Sequence, residues 1–335
     1  MTSKEYTKAE VVNRYLPALL NAKDFTHVFA PSNIALCKYW GKRNTELNLP
    51  VNASLSISLG HLGSHTGISH SDSGVDRVRL NNKELELSAS FSQKVIAFVD
   101  LFRRDQHMPL IIDTRNNIPT AAGLASSASG FAALTLALND FFDLSLDNKV
   151  LSAFARMGSG SASRSLYTGF VRWNMGEQAD GMDSIATPLT QQWPDLCIGL
   201  IKVSSAQKPM DSRTGMQRTI ETSKLYPSWP EQAGNDLITL EQAIEEGDFT
   251  KLGECAEKNA MSMHATMISA WPPLVYWLPE SLSVMQKIWR LRDAGTNVYF
   301  TMDAGPNIKL LFEKSNQALL QTEFAEMDVI QPFSD

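Results

Sequence analysis

Polar and apolar residues follow two different periods along this chain. Residues 54–59 alternate as a half-buried strand does, and residues 196–203 form a strongly apolar strand. Residues 91–104 instead repeat their apolar positions with the period of a helix. Strands and helices mix without a regular strand–helix–strand repeat, which indicates an α+β fold class.

The same patterns place the other elements. An Asn81-Asn82 pair between two short apolar segments is typical of a hairpin turn. Further strands are predicted at residues 27–30, 77–80, 84–87, 110–114, 169–173, 297–302 and 308–312. Further helices are predicted at residues 147–157, 212–223, 235–246, 248–263 and 279–294.

Changes in the pattern divide the chain into three parts. Residues 5–22 are amphipathic, so residues 1–24 are predicted to form an N-terminal helical extension. The pattern resets near Trp193, directly before the apolar strand at 196–203. We therefore expect one domain over residues 25–193 and a second over residues 194–335.

Composition and charge exclude several classes of protein. The 335 residues are 43% hydrophobic and 20% charged, as in a soluble globular protein. The formal charge of −6 argues against nucleic acid as a partner. Residues 1–23 lack the apolar core of a signal peptide, and no apolar run approaches the roughly 18 residues of a membrane span. Three widely spaced cysteines suggest reduced thiols, so a cytoplasmic protein with no membrane contact is expected. The six histidines show no zinc-binding spacing.

The first candidate site is the stretch of small residues at 119–129. Gly123 can adopt positive φ, and Ser126 and Ser127 are good N-cap residues before an apolar, alanine-rich run. A loop that opens into a helix N-terminus points amide groups and the positive end of the dipole at one spot, which suits a phosphate. The stretch is not a Walker A loop, and a helix start with small residues for close packing remains an alternative.

The second candidate site is the segment at 30–42. Two lysines, Lys38 and Lys42, flank the sequence Tyr39-Trp40-Gly41. A lysine can act as a point-charge partner for phosphate. The alternative is a loop with solvated lysines, but two adjacent aromatic residues are seldom exposed without a function.

The third candidate site is a glycine- and serine-rich loop at 158–165. It can present amide groups and hydroxyls to an anion, and Arg164 can grip a carboxylate through two hydrogen bonds. A flexible linker is the alternative, although the loop lies between an apolar helix and an apolar strand.

The fourth candidate site is Asp303, which follows a strand on a Gly-Pro turn and can project into a cleft. Alternatively, it caps its own backbone.

These four motifs carry a family resemblance that runs from about residue 25 to 312. The order of Pro119 and residues 123–128 resembles the phosphate loop of the GHMP kinase superfamily, and Ala125, where most members have glycine, points to the diphosphomevalonate decarboxylases. The segments at 38–42, 158–164 and 303–307 are similar to that family's motifs in the same order. Met157 is a departure, since a polar residue is usual there.

The resemblance implies a fold, a reaction and partners. The fold is a two-domain GHMP kinase fold with the active site in the interdomain cleft, and the assembly is a homodimer. The reaction is decarboxylation of mevalonate diphosphate to isopentenyl diphosphate, with ATP and magnesium as cofactors. Asp303 would face the tertiary hydroxyl, Arg164 would orient the carboxylate, and Lys42 would complete the catalytic set.

The resemblance also implies binding residues. The nucleotide would be bound by Pro119, Ala122, Gly123, Leu124, Ala125, Ser126, Ser127 and Ser129, with Ser127 on magnesium. The substrate would be bound by Lys38, Tyr39, Trp40, Gly41, Lys42, Lys94, Ser159, Gly160, Ser161, Ala162, Ser163, Arg164 and Arg213.

Two rival functions stay open at this point. One is a related enzyme that acts on mevalonate or its monophosphate, either a 3-kinase or a phosphomevalonate decarboxylase. The other is a ligand sensor that kept the fold and lost catalysis. Such a sensor would usually lose the base or the phosphate loop, whereas this chain keeps both Asp303 and the stretch at 119–129.

Overall fold

A computed structural model describes residues 5–118, 126–206 and 210–333 of the chain, with the main chain alone at Ser126. Five predicted nucleotide-binding residues lie outside the described residues: Pro119, Ala122, Gly123, Leu124 and Ala125. The strands are β1 (Phe25–Cys37), β2 (Lys42–Asn44), β3 (Leu49–Pro50), β4 (Ser54–His70), β5 (Arg77–Leu80), β6 (Lys83–Leu85), β7 (Leu110–Asn116), β8 (Phe170–Trp173), β9 (Ala186–Pro188), β10 (Leu196–Ile201), β11 (Val298–Thr301), β12 (Ile308–Glu313) and β13 (Asp328–Ile330). The α-helices are α1 (Lys8–Asn13), α2 (Ser90–Arg103), α3 (Ser126–Phe141), α4 (Asn148–Gly158), α5 (Ser212–Thr222), α6 (Trp229–Glu246), α7 (Phe249–Ile268), α8 (Pro279–Asp293) and α9 (Gln317–Glu323).

The N-terminal half is built on a mixed sheet in the order β6-β5-β7-β4-β8-β9, with β1 paired to β4. The long strand β4 organises it, because its first residues pair with β8 and its last residues pair with β7. Helix α3 packs on β1 and β4, and α4 packs on α3. The predicted Asn81-Asn82 turn is confirmed: both residues have positive φ and join β5 to β6.

The C-terminal half contains an antiparallel sheet in the order β11-β12-β10-β13. Helices α7 and α8 pack against its strand β11. Asp303 follows β11, where the chain turns back into β12. The architecture confirms the predicted α+β class.

One hydrophobic core joins the two halves. Ile34 and Leu36 of β1 belong to the same buried cluster as Leu237 of α6 and Ala256 of α7. The end of β1 is therefore fixed against helices of the C-terminal half. This packing brings Lys38, the first residue after β1, next to the turn that carries Asp303.

Several predictions about local structure were wrong: the strand expected at residues 54–59 continues to His70, and the helix expected at residues 235–246 begins at Trp229. The N-terminal extension is helical only over Lys8–Asn13, whereas a helix was expected over residues 5–22, and the chain beyond α1 turns before Pro17. The strand expected to end at Pro31 instead continues to Cys37. Pro31 lies opposite Gly63 of β4, whose missing side chain leaves room for the proline, and the register shifts just after it.

Candidate active site

Asp303 lies between two buried lysines. Its Oδ1 is 2.9 Å from Lys38 Nζ and its Oδ2 is 3.2 Å from Lys309 Nζ. Both lysine side chains are 2% exposed, whereas the carboxylate is 28% exposed and so accessible to a ligand. The ammonium groups stabilise the ionised carboxylate and fix both of its oxygens.

The main chain at Lys38 is held by both halves of the molecule. Its N–H donates to Asn259 Oδ1 of α7 at 2.7 Å, and its carbonyl accepts from Asn52 Nδ2 at 2.9 Å. The Lys38 ammonium also donates to Ala35 O at 2.7 Å. Burial lowers the pKa of Lys38, and attraction to Asp303 opposes that shift. The position of this lysine is therefore determined before any ligand binds.

A buried carboxylate supports Asn259 from behind. Asn259 Nδ2 donates to Asp236 Oδ2 at 2.9 Å, and Asp236 Oδ1 lies 3.3 Å from the exposed ammonium of Lys258. Because the carboxylate only accepts hydrogen bonds, it orients the amide so that its oxygen faces Lys38.

His264 holds the main chain of Asp303. Its Nε2 lies 3.2 Å from the Asp303 carbonyl oxygen, which only accepts hydrogen bonds, so Nε2 carries the proton. Burial lowers the pKa of His264 to about 3, and the charge of Lys38 adds to the shift. The imidazole is therefore neutral at physiological pH and acts as a structural donor.

Arg164, on the N-terminal half, interacts electrostatically with this centre. Its side chain is 2% exposed, its NH1 donates to Ser54 Oγ at 2.6 Å, and its guanidinium lies 5.6 Å from the ring centre of Trp173. Burial lowers the pKa of Arg164 to about 10, and attraction to Asp303 opposes the shift, so the two charges interact. The guanidinium stays protonated at neutral pH.

The predicted anion loop folds as a short 3₁₀ helix over Gly160–Leu166. Asn33 Nδ2 donates to Ser161 O and Ser165 Oγ and so ties this helix to β1. Gly160 packs so closely on Tyr39 that an added Cβ would lie 2.8 Å from the ring. Ser159 and Ser161 are half-buried and accessible, whereas Ala162 and Ser163 face the protein interior, where the Ser163 hydroxyl donates to Gly160 O.

A second group of cations lies around the loop from Lys38 to β3. Burial lowers the pKa of Lys42 to about 8, and repulsion from Arg213 contributes. Arg156 is buried, donates to the carbonyls of Leu47 and Gly181, and has a pKa lowered by burial to about 9. Among the described residues, no carboxylate lies within 4.0 Å of the charged nitrogens of these three side chains.

The adjacent aromatic residues Tyr39 and Trp40 have different surroundings. Trp40 is buried in the shared core, and Gly41 has φ +123° at a point where a Cβ would lie 1.8 Å from Tyr226 Oη. The Tyr39 hydroxyl is buried and has no hydrogen-bond partner in the described part of the chain. Burial raises the pKa of Tyr39, so the hydroxyl is available as a donor.

Helix α3 begins where the predicted phosphate loop ends. Ser127 is exposed in its first turn, while Ala128 and Ser129 are buried. The Ser129 hydroxyl lies 2.7 Å from Ser64 Oγ and 3.3 Å from Ser32 Oγ, so it anchors the helix to the sheet.

Two family models match the chain. The model for the diphosphomevalonate decarboxylase-like N-terminal domain matches residues 30–186, and the model for the mevalonate 5-diphosphate decarboxylase C-terminal domain matches residues 198–330. The chain belongs to the diphosphomevalonate decarboxylase family.

Comparisons with individual members of this decarboxylase family support the same assignment. The chain is 38% identical to the diphosphomevalonate decarboxylase of Candida albicans over 306 residues, which cover 87% of this chain and 84% of the relative. Among solved structures, mevalonate diphosphate decarboxylase from Staphylococcus aureus is 38% identical with a TM-score of 0.85, over 92% of this chain and 95% of that one. A structure described as MDDEF in complex with MVAPP, AMPPCP and magnesium is 39% identical with a TM-score of 0.85, over 92% of this chain and 97% of that one.

The resemblance found in the sequence and the predicted GHMP-type fold are thereby confirmed. In the part of the chain that the structure describes, no helix combines the length and apolar character needed to cross a membrane.

The structure brings several predicted site residues together. Asp303 forms an ion pair with Lys38 and interacts electrostatically with Arg164, and Lys42 interacts electrostatically with Arg213. Lys94 is exposed on α2, and its charge reaches Asp211, the N-cap of α5 beside Arg213.

Sequence reasoning missed Lys309, Asn259, Asp236 and His264. A lone lysine within the apolar strand at 308–312 was the one available signal for Lys309. The others lie in helices, where nothing in the sequence separates them from surface polar residues.

Proposed function

We propose that this protein catalyses the ATP-dependent decarboxylation of (R)-5-diphosphomevalonate to isopentenyl diphosphate in the mevalonate pathway of isoprenoid biosynthesis. ADP, phosphate and carbon dioxide are the other products. The observation that carries the proposal is the Asp303 carboxylate, held by Lys38 and Lys309 and accessible beside Arg164. Homologues named for this activity, and a homologous structure with MVAPP and AMPPCP, support it.

In this proposal the substrate diphosphate binds to the second group of cations. Lys42 and Arg213 supply charge, and Ser159, Ser161 and the Tyr39 hydroxyl, which has no partner among the described residues, supply hydrogen bonds. Cations that lack acidic partners are attracted to a doubly charged anion more strongly than paired ones. Lys94, whose charge reaches Asp211 beside Arg213, is assigned to the edge of this pocket.

The substrate carboxylate is assigned to Arg164. Lys38, Lys309 and Arg164 carry three positive charges against the single negative charge of Asp303. The centre is therefore attractive to an anion, and the planar guanidinium suits a carboxylate. The carboxylate bound there lies close to Asp303, which faces the tertiary hydroxyl.

Asp303 accepts the hydroxyl proton as the substrate oxygen is phosphorylated. A loose transition state needs little prior deprotonation, so an ordinary carboxylate suffices. The carbon–oxygen bond then breaks with loss of phosphate, and positive charge develops on the tertiary carbon. The electron pair of the bond to the carboxyl group forms the double bond as carbon dioxide leaves. The proton passes from Asp303 to the departing phosphate, and the carboxylate, ionised again, stabilises the developing positive charge.

ATP and magnesium are assigned to the start of α3. The exposed Ser127 in the first turn fits a magnesium ligand or phosphate contact, since hydroxyl oxygens suit magnesium and helix N-termini suit phosphate. When bound there, ATP would supply the phosphoryl group and magnesium would neutralise part of its charge. Ser126 and Ser129 belong to the same proposed site, with Ser129 anchoring the helix.

We also propose that the protein is a cytoplasmic homodimer. Five exposed apolar side chains lie at the ends of α5 and α7 and in the segments that follow these helices. They are Ile220, Leu225, Ile268, Trp271 and Val275. Two hydrogen bonds join the two regions, one between Trp271 N and Thr222 Oγ1 and one between the hydroxyls of Ser223 and Ser269. Such a surface favours a partner. Three buried free cysteines fit a reducing compartment. Sedimentation analysis tests the dimer.

The decisive experiment compares the native protein with Asp303→Ala. Turnover should fall by at least about a thousandfold, whereas the affinity for ATP should be nearly unchanged. Asp303→Asn is the matched control, since it keeps the shape and removes the charge, and it should be similarly impaired. Wild-type-like turnover in Asp303→Ala would remove the proposed role.

The substrate is tested by measuring carbon dioxide release with mevalonate, its monophosphate and its diphosphate. Release with the diphosphate alone supports the proposal. Release with the monophosphate, or ADP formation without carbon dioxide, would identify the related decarboxylase or 3-kinase instead.

A further inference from the structure

The N-terminal extension reaches the cation group that we assign to the substrate diphosphate. Its helix α1 starts at Lys8, and the start is fixed by a capping box in which Thr7 and Glu10 bond each other's backbone N–H groups. Lys8 precedes the residues matched by the family model, which begin at 30. The family model therefore does not cover the extension and says nothing about its role.

Several contacts hold the extension rigidly against the N-terminal half. Val11 and Val12 are fully buried in the same cluster as Leu47 and Leu49, which flank Asn48 in the β2–β3 segment. Arg14 pairs with Asp180 at 2.9 Å. These contacts place Lys8 at a defined position, which lowers the entropy cost of using it to bind a ligand.

The backbone of Lys8 bonds directly to the segment that carries Lys42. Its N–H donates to Glu46 Oε1 at 3.1 Å, and Glu46 lies between β2 and β3. Lys42 Nζ in turn donates to Asn48 Oδ1 at 2.5 Å, and Asn48 Nδ2 donates to the carbonyls of Arg156 and Met157. The extension, the segment from Lys42 to Asn48 and the end of α4 thus meet at one place.

The Lys8 ammonium shares the electrostatic surroundings of this cluster. Burial lowers its pKa, repulsion from Arg213 and Arg156 adds to the shift, and attraction to Glu46 opposes it. Lys8 likewise lowers the pKa of Lys42. Within the described residues, no carboxylate oxygen lies within 4.0 Å of the Lys8 ammonium. Lys8 is repelled by Arg213 and Arg156, and Lys42 by Arg213 and Lys8, while the described residues place no carboxylate within 4.0 Å of these cations, so the group favours a polyvalent anion.

We propose that Lys8 is a specificity-determining residue of the substrate site, through which the N-terminal extension adds a cation for the diphosphate group. The inference rests on the assignment of the anion pocket in the proposed function. A monophosphate carries less charge than a diphosphate and gains less from an additional cation. Lys8 therefore favours the diphosphate over the monophosphate form of the substrate.

The test is steady-state kinetics of Lys8→Gln on the full chain. The KM for mevalonate diphosphate should rise about tenfold, as expected for one charge-assisted contact, with kcat changed less than about twofold. The inhibition constant of inorganic pyrophosphate should rise by a similar factor, that of orthophosphate should rise less, and the KM for ATP should stay constant. Lys8→Arg should retain most of the affinity.

Lys149→Gln is the matched control, because Lys149 is an exposed lysine in the first turn of another helix, α4. It should leave all these constants unchanged. Lys42→Gln and Arg213→Gln separate the possible failures. If they raise the KM for mevalonate diphosphate while Lys8→Gln does not, the role of Lys8 is refuted and the pocket stands. If all three leave it unchanged, the pocket itself is wrongly assigned. An equal rise in the KM for ATP in Lys8→Gln would indicate structural damage and would also overturn the role.

Discussion

The charged group around Asp303 and the cation group around Lys42 differ in how their charges are balanced. Around Asp303, both carboxylate oxygens have a lysine partner, and the surrounding main chain is fixed by Asn259 and His264. Around Lys42, the cations have no carboxylate within 4.0 Å among the described residues, and burial, together with repulsion from Arg213 and Lys8, lowers the pKa of Lys42. Paired charges preserve a geometry when no ligand is present, whereas unpaired cations are stabilised when an anion arrives.

A single short loop supplies both groups. Lys38 points to the paired centre, and Lys42 belongs to the unpaired cluster. Buried Trp40 and the left-handed Gly41 lie between them and fix the course of the chain. The two lysines have the same chemistry, so the contrast in their surroundings predicts opposite kinetic effects.

The largest effect should come from Lys38→Met. Removing one of the two cations that hold Asp303 should lower kcat about a hundredfold, within the range for electrostatic groups, with less than about a threefold change in the KM for mevalonate diphosphate. Lys42→Met should do the reverse and mainly raise that KM. Steady-state kinetics of both variants check the contrast. The same pattern in both variants would show that the two groups do not act separately.

A smaller effect concerns pH. The Lys42 ammonium has a pKa lowered to about 8, so it loses its charge as the pH rises through that value. If this charge binds the diphosphate, kcat/KM should fall by up to about tenfold above pH 8, the loss expected for one charge-assisted contact. Lys42→Arg should keep its charge and lack this decline. A decline that persists unchanged in Lys42→Arg would assign it to another group.

The smallest effect concerns the stability of the paired centre. The pKa of His264 is about 3 in the folded state, while an unfolded histidine titrates near about 6.5. The unfolded state therefore binds the proton first as the pH falls. The free energy of unfolding decreases by up to about 1.4 kcal/mol for each pH unit below the unfolded pKa, until the folded pKa is reached. Denaturant unfolding at pH 7 and pH 5 should show a smaller loss for His264→Gln than for the native chain. An equal loss would assign the acid sensitivity elsewhere.

Local features of the fold could be predicted from the sequence, and long-range features could not. Helices α5 and α8 have bounds within a residue or two of those predicted, because caps and apolar period act within a few turns. The passage of β1 through Pro31 depends on Gly63, which is distant in sequence and has no side chain. The predicted N-terminal helix is too long, because turns that bury their apolar side chains against the N-terminal half produce the same amphipathic pattern.

The same distinction holds for the site. The motifs at 38–42 and 303–307 identified Lys38 and Asp303, and the structure shows that they form an ion pair. The motif at 158–164 singled out Arg164, whose charge interacts with that of Asp303 in the structure. Lys309 escaped notice, because it reaches Asp303 only through the tertiary packing of an otherwise apolar strand.

The common core beneath the cleft limits how this molecule can respond to its ligands. Rotating one half away from the other would separate Ile34 and Leu36 from the side chains of α6 and α7 and expose that apolar surface to water. Wide hinge bending is thus thermodynamically disfavoured. Adjustments during a catalytic cycle are expected to be confined to peripheral loops, while the ion pair of Lys38 and Asp303 keeps its geometry from one turnover to the next.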